Sequence, residues 1–178
     1  MTLKNKYEQL CNVKSDINEH LPTLKRYADE CSHITEMGVR GCVSTIALLM
    51  GKPHIMVSYD IVDCPVQEAY EMSKGITDFK FIKADTLKIT IEPTDLLFID
   101  TLHNYTQLSQ ELDLHAKNVS DYIIFHDTTS FRDVGESYSG KPEKGIWQAI
   151  LDFIKDNPEW KIAELFTNNN GLTIIRRV

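Results

Sequence analysis

Short apolar runs alternate with longer amphipathic stretches along most of this chain, and the alternation predicts its elements. HITEM (33–37), HIMVSYDI (54–61), FKFIKAD (79–85), DLLFIDT (95–101) and YIIFHDT (122–128) read as buried strands. Helices are predicted between them at 43–50, 65–75, 106–119 and 145–157. The third repeats its apolar residues at Leu108, Leu112 and Ala116. In the last, Ile146, Ile150, Phe153 and Ile154 form a core-facing stripe with Trp147 at its margin. Residues 16–30 predict a helical lead-in broken at Pro22. At the other end, 160–167 and 171–177 are strands joined by Asn168-Asn169-Asn170, and Asn170-Gly171 is a hairpin signal.

Repeated strand–helix units predict an α/β domain, a mostly parallel sheet with helices on both faces, closed by an antiparallel hairpin at one edge. One domain spans 1–178, with a lead-in over 1–32 and a long polar loop over 129–144. Only Thr86 to Thr94 separate the third and fourth strands, too few residues for a full connecting helix.

Composition narrows the function classes. The chain is 42% apolar and 25% charged, and no apolar run reaches the roughly 20 residues of a membrane span. The first residues, MTLKNKYEQLCNV, lack the apolar stretch of a signal peptide, so a cytoplasmic location is expected. Cys11, Cys31, Cys42 and Cys64 follow no metal or disulfide spacing and read as reduced thiols. A formal charge of -7 offers no basic footprint for nucleic acid. The expected partner is a small-molecule or glycan acceptor.

The candidate chemistry clusters at strand ends, where open α/β sheets bind ligands. Glu36-Met37-Gly38-Val39-Arg40-Gly41-Cys42 joins the first strand to the helix beginning near Ser44-Thr45. Gly38 and Gly41 let backbone approach a ligand, and a helix start offers unpaired N–H groups. A carboxylate at position 36 suits a cationic ligand better than a pyrophosphate. Asp60 ends the second strand, 24 residues after Glu36, where it either binds both hydroxyls of a ribose or caps a turn. Ala84-Asp85 ends the third strand, and Asp85 is either a ligand contact or a turn aspartate. The fourth strand delivers Asp100 and, three residues later, His103, while the fifth ends in His126-Asp127. Neighbouring strands lie about 4.8 Å apart, so Asp100 and Asp127 should face each other, with one pKa pushed up unless a divalent cation neutralises them.

The E-x-G-x-x-G turn, the acidic strand ends and the order of elements resemble class I S-adenosylmethionine-dependent methyltransferases over residues 33–177. F-I-D-x-x-H-x-Y followed by I-I-F-H-D-T is similar to small metal-dependent O-methyltransferases of the catechol and macrolide-sugar type. The resemblance implies a Rossmann-like three-layer sandwich with a seven-stranded sheet. It implies that S-adenosylmethionine meets Glu36, Gly38, Arg40, Gly41, Ser44, Asp60, Ala84, Asp85 and Asp100. By the same route Asp100, His126 and Asp127 would hold Mg²⁺ or another divalent cation, and His103 would be the general base beside Asp100. His126 departs from the acidic residue usual at its position. Arg40 and Cys42 replace glycines of the family turn, and Arg40 either points outward or meets the methionine carboxylate. Family enzymes are often homodimers.

The implied function is methyl transfer from S-adenosylmethionine to a hydroxyl of a sugar or glycan-derived small molecule. Two alternatives stand beside it: a non-catalytic S-adenosylmethionine-binding or scaffold module, and an NAD-dependent oxidoreductase sharing the ribose-binding aspartate. Arg132, Tyr138, Lys141 and Lys144 in the long loop are candidates to hold the acceptor. The lead-in either covers the cofactor or packs on the sheet.

Overall fold

Seven strands assemble in the order β3-β2-β1-β4-β5-β9-β8 in the computed structural model, which describes residues 1–137 and 140–178. They are β1 (His33–Met37), β2 (Ile55–Asp60), β3 (Asp78–Lys83), β4 (Thr94–Ile99), β5 (Val119–His126), β8 (Trp160–Phe166) and β9 (Leu172–Arg177). Strands β1 to β5 pair in parallel, and β9 runs antiparallel between β5 and β8. The predicted architecture therefore stands. The reversed strand lies inside the sheet, and β8 forms the edge.

Alternation along each strand divides the core into two layers. On β4, Leu96 and Phe98 face a cluster that includes Leu24, Ile46 and Leu49, while Leu97 and Ile99 face another that includes Leu108, Leu112 and Ile150. The first layer is covered by α1 (Leu3–Asn12), α2 (Leu21–Ala28), α3 (Val43–Met50) and α4 (Gln67–Ser73), the second by α5 (Tyr105–His115) and α6 (Ile146–Asp156). A single 3-10 turn at Thr86–Lys88 takes the place of a helix between β3 and β4, as the short spacing requires.

The lead-in differs from its prediction. A helix over Leu3–Asn12, capped by the Thr2 hydroxyl on the Asn5 amide, precedes an irregular segment. Pro22 then sits in the first turn of α2 instead of breaking a longer helix. In the first turn a proline's missing N–H has no carbonyl to serve and its fixed φ is already helical. The segment is clamped from the far end of the chain. The Glu19 amide donates to Asn169 Oδ1 at 2.9 Å, and Asn169 Nδ2 donates to the Ser15 carbonyl at 2.8 Å. Those asparagines lie in the β8–β9 connection, where Asn169, Asn170 and Gly171 all take positive φ. The turn signal thus marks a longer left-handed loop.

The polar loop after β5 carries a ribbon of two short strands, β6 (Val134–Gly135) and β7 (Glu143–Lys144), that sequence patterning missed. All four cysteines are free.

Candidate functional site

The sheet order reverses between β1 and β4, because the chain leaves β1 for β2 on one side and later returns to β4 on the other. Ligand crevices form at such reversals, beyond the carboxyl ends of the strands. A cavity of about 580 Å³ opens there, within the range of small-molecule sites. Gly38, Arg40, Gly41, Ser44, Asp60, Ala84, Asp85, Asp100, His103 and Asp127 all line it.

Gly38 shows why the turn has its sequence. Its φ is +88°, and a Cβ added there would sit 1.9 Å from the Asp100 carbonyl oxygen. The missing side chain lets the β1 turn press against the end of β4. Gly41 is different: a Cβ there would meet nothing within 4 Å, because it faces the open cavity. Between and after them, Arg40 (φ 45°) and Cys42 (φ 60°) take the left-handed conformation without being glycine. Each costs roughly 1–2 kcal/mol relative to a glycine in the same place. The loop path survives the loss of two glycines.

Glu36 is the main correction among the predicted ligand contacts. It is fully buried and is not part of the cavity wall. Its carboxylate accepts hydrogen bonds from Ser44 Oγ at 2.6 Å, Thr45 Oγ1 at 2.8 Å and Ser58 Oγ at 2.6 Å, tying α3 and β2 to β1. Burial pushes its pKa up to about 7 against the pull of those hydroxyls. Glu36→Ala would leave three buried hydroxyls without their acceptor, at about 1–3 kcal/mol for each one that finds no other partner. A loss of ~3 kcal/mol in urea unfolding is expected, with Glu36→Gln losing less.

The preference for a cationic ligand instead comes from the cavity wall, where Asp60, Asp85, Asp100, Asp127 and Glu136 outnumber Arg40 and His103. Asp60 Oδ2 accepts from the Val39 and Arg40 amides at 2.9 and 3.1 Å, and Oδ1 from the Val62 amide at 3.1 Å. Burial alone would raise its pKa, and these amides hold it below the usual carboxylate range. Asp85 caps the 3-10 turn through the Leu87 amide at 3.0 Å and pairs with Lys88 at 3.0 Å. Arg40 reaches outward to Asp16 at 2.7 Å, and Ile17 beside it lines the cavity, so the lead-in does form part of the wall.

At the other end, His103 sits among three carboxylates. Its Nε2 lies 3.0 Å from Asp100 Oδ1 and 3.0 Å from Asp127 Oδ2, and its Nδ1 lies 2.9 Å from Glu136 Oε2. The ring stacks on Phe131 at 4.7 Å with 7° between planes. Glu136 is a residue that sequence reasoning missed. It also accepts from the His103 amide at 3.0 Å, while its own amide donates to the His103 carbonyl at 2.9 Å, docking the loop on the site.

The expectation that Asp100 and Asp127 would drive one carboxyl pKa upward is overturned. Burial does act in that direction, but hydrogen bonds from His103 and His126 hold both carboxyls below the usual range. In return, burial would lower both histidines, and Asp100 and Asp127 instead lift His103 to about 10 and His126 to about 9. The paired histidines offset the charge of the two carboxylates. His103 contributes stability in full below its ordinary 6.5, and the contribution fades as pH rises toward 10. Thermal stability of the wild type should accordingly fall between pH 7 and 10 by more than that of His103→Asn, as followed by circular dichroism.

The predicted metal set also changes. Asp100, His103 and Asp127 present ligand atoms within 4.8 Å of one another, the arrangement that could hold an ion. His126 lies behind them, almost fully buried, with Nε2 3.2 Å from the Asp16 carbonyl oxygen and Nδ1 3.3 Å from Asp100. Its ring is spent bracing Asp100 from below. Asp127 Oδ1 is buried without a hydrogen-bond partner among the described residues, and Asp127 itself takes φ 60°. An orphaned oxygen on a strained backbone beside two further ligand atoms fits a hard divalent cation.

Arg132 and Lys144 are not part of the cavity wall among the described residues. Arg132 lies over the Trp147 ring at 4.3 Å and Lys144 over the Tyr105 ring at 4.4 Å. Lys141 is not in the wall either, and Tyr138 lies outside the described residues.

No protein-family model and no curated protein sequence matches the chain. Solved structures do resemble it. The N-methyltransferase NodS from Bradyrhizobium japonicum WM9, in complex with S-adenosylhomocysteine, is 15% identical with a TM-score of 0.66, covering 99% of each chain. An O-methyltransferase from Bacillus cereus, also bound to S-adenosylhomocysteine, is 16% identical with a TM-score of 0.60, covering 99% of this chain and 90% of its own. The 1,6-didemethyltoxoflavin-N1-methyltransferase of Burkholderia thailandensis is 11% identical with a TM-score of 0.66, covering 92% of this chain and 79% of its own. The seven-stranded sheet with its inserted antiparallel strand thus has the fold of the S-adenosylmethionine-dependent methyltransferases.

Proposed function

We propose that the chain transfers a methyl group from S-adenosylmethionine to a hydroxyl of a sugar or glycan-derived small molecule, with a divalent cation and His103 assisting. The observation that carries this reading is the cavity at the strand reversal, open at Gly41 and acidic along its wall, ending in the Asp100–His103–Asp127 cluster. An acidic wall suits a ligand bearing an ammonium and a sulfonium, and it disfavours an anionic acceptor. The left-handed Arg40 and Cys42 keep the loop path open, which weighs against a degenerate, non-catalytic module.

S-adenosylmethionine supplies an activated methyl on sulfur, and a cation held by the carboxylates of Asp100 and Asp127 would supply positive charge beside the acceptor oxygen, leaving His103 Nε2 free to act as a base. The chain's own residues do the rest. Gly38 and Gly41 give backbone access, Asp60 holds the turn through the Val39 and Arg40 amides, and Ile17 adds an apolar side chain to the wall. His103 Nε2 is the atom that takes the acceptor's proton. Its carboxylate neighbours raise its pKa, and a cation held by Asp100 and Asp127 would offset their pull and bring the imidazole toward the range of a base. Glu136 at Nδ1 orients the ring throughout.

Isothermal titration with S-adenosylmethionine, S-adenosylhomocysteine and NADH, each with and without Mg²⁺, tests the reading. Binding of the first two and not of NADH is expected, together with a separate Mg²⁺ isotherm that Asp127→Asn abolishes. Binding of NADH alone would establish the oxidoreductase alternative. Binding of S-adenosylhomocysteine without methyl transfer to any hydroxyl acceptor would establish the module.

A further inference from the structure

Beneath the cavity floor lies a buried carboxylate that the proposed chemistry does not use. Glu111, on α5, is fully buried, and its three hydrogen-bond donors all come from residues of the cavity wall. Oε1 accepts from Thr86 Oγ1 at 2.6 Å and from Gln107 Nε2 at 2.9 Å, while Oε2 accepts from Thr101 Oγ1 at 2.8 Å. Burial raises the pKa of Glu111 against the pull of these three donors; in its ionised form it can only accept, and every donor it engages is then fixed in direction. Thr86 spends its one proton on Glu111 and can therefore only accept from Gln107 Nε2, which lies 3.2 Å away.

Two acceptors thus surround the amide nitrogen of Gln107. The amide cannot turn over without setting its oxygen against both of them. Its carbonyl oxygen is the polar atom Gln107 has left to present to the cavity it lines, at the end formed by Asp85 and Thr86. The neighbouring aspartate is already engaged, one oxygen on the Leu87 amide and the other on Lys88.

We infer that Gln107 Oε1, held in orientation by Glu111, accepts a hydrogen bond from the exocyclic amine of the ligand's purine and selects a 6-aminopurine over a 6-oxopurine. Gln107 is the specificity-determining residue, and Glu111 is a positioning residue that never touches the ligand. The inference rests on the S-adenosyl reading of the cavity. A 6-oxopurine would set its carbonyl oxygen against Gln107 Oε1 and leave both acceptors unpaired.

The test compares S-adenosylhomocysteine with its deaminated analogue, S-inosylhomocysteine, by titration calorimetry. Wild type should bind the amino form at least ~10-fold more tightly. In Glu111→Gln the new amide can donate to Gln107, whose own amide is then free to turn, and the ratio should fall below ~3-fold. Gln107→Met, which keeps the bulk and removes the acceptor, should lower affinity for the amino form and leave the oxo form nearly unchanged. A merely structural role would weaken both ligands alike and leave the ratio standing. Retention of the wild-type ratio in Gln107→Met overturns the inference even where Glu111→Gln fails to fold, as does a wild type that binds both ligands equally. A folded wild type that binds neither ligand removes the S-adenosyl reading itself.

Discussion

Gly38→Ala is expected to lose at least ~4 kcal/mol of stability, the range reserved for a small set of severe mechanisms, and to accumulate mainly as insoluble chain. Two penalties coincide. The backbone must hold φ +88° against a side chain, and the new Cβ would lie 1.9 Å from the Asp100 carbonyl oxygen, well inside contact distance. Relief would require β1 and β4 to part at their carboxyl ends, where the Asp100 amide donates to the Met37 carbonyl at 2.8 Å. Gly41→Ala is the control. Its Cβ meets nothing within 4 Å, so stability should stay close to wild type while cofactor affinity falls, because the methyl enters the cavity. Urea unfolding of both variants decides the matter, and a Gly38→Ala protein with a near-wild-type midpoint would show that the turn has room that its geometry denies.

His103→Ala is expected to lower methyl transfer by ~10²–10⁴ while leaving S-adenosylhomocysteine affinity within about threefold, the range of a lost general base. The ring touches Asp100, Asp127, Glu136 and Phe131. Its removal therefore leaves the Gly38–Asp60 end as it was. Single-turnover rates with saturating cofactor, paired with calorimetry, separate the two effects. Full activity with unchanged affinity would reassign His103 to holding the carboxylates together, which its position between them would also allow.

Much of this was legible without a structure because it is written in local patterns. Apolar runs with period two and stripes with period 3.6 marked every strand of the main sheet and four of its helices. The gap from Thr86 to Thr94 was too short for a helix, and only a 3-10 turn formed there. The helix over Leu3–Asn12 escaped because its apolar stripe is thin, with Leu3 alone buried. The β6–β7 ribbon escaped because pairs of two residues carry no period at all.

The site divides the same way. Asp60, Asp85, Asp100, His103 and Asp127 were found as acidic or imidazole side chains at strand ends, since topology delivers strand ends to one edge. Glu111 and Gln107 were visible only as polar residues on a helix whose Leu108 and Leu112 face the core, a weak sign of a buried network one turn apart. Glu136 had no sign beyond lying in a long loop.

The order of apolar and polar residues by itself determined that this chain makes an α/β sheet with an antiparallel closing strand and which residue types gather at its carboxyl edge. What each of those residues does was decided only by the tertiary structure. Glu36 turned inward to three hydroxyls, His126 went beneath Asp100, and His103 came between two carboxylates 27 residues apart in sequence. Hydrogen bonding, burial and pKa depend on distances of a few ångströms between residues far apart along the chain. No local pattern carries those distances.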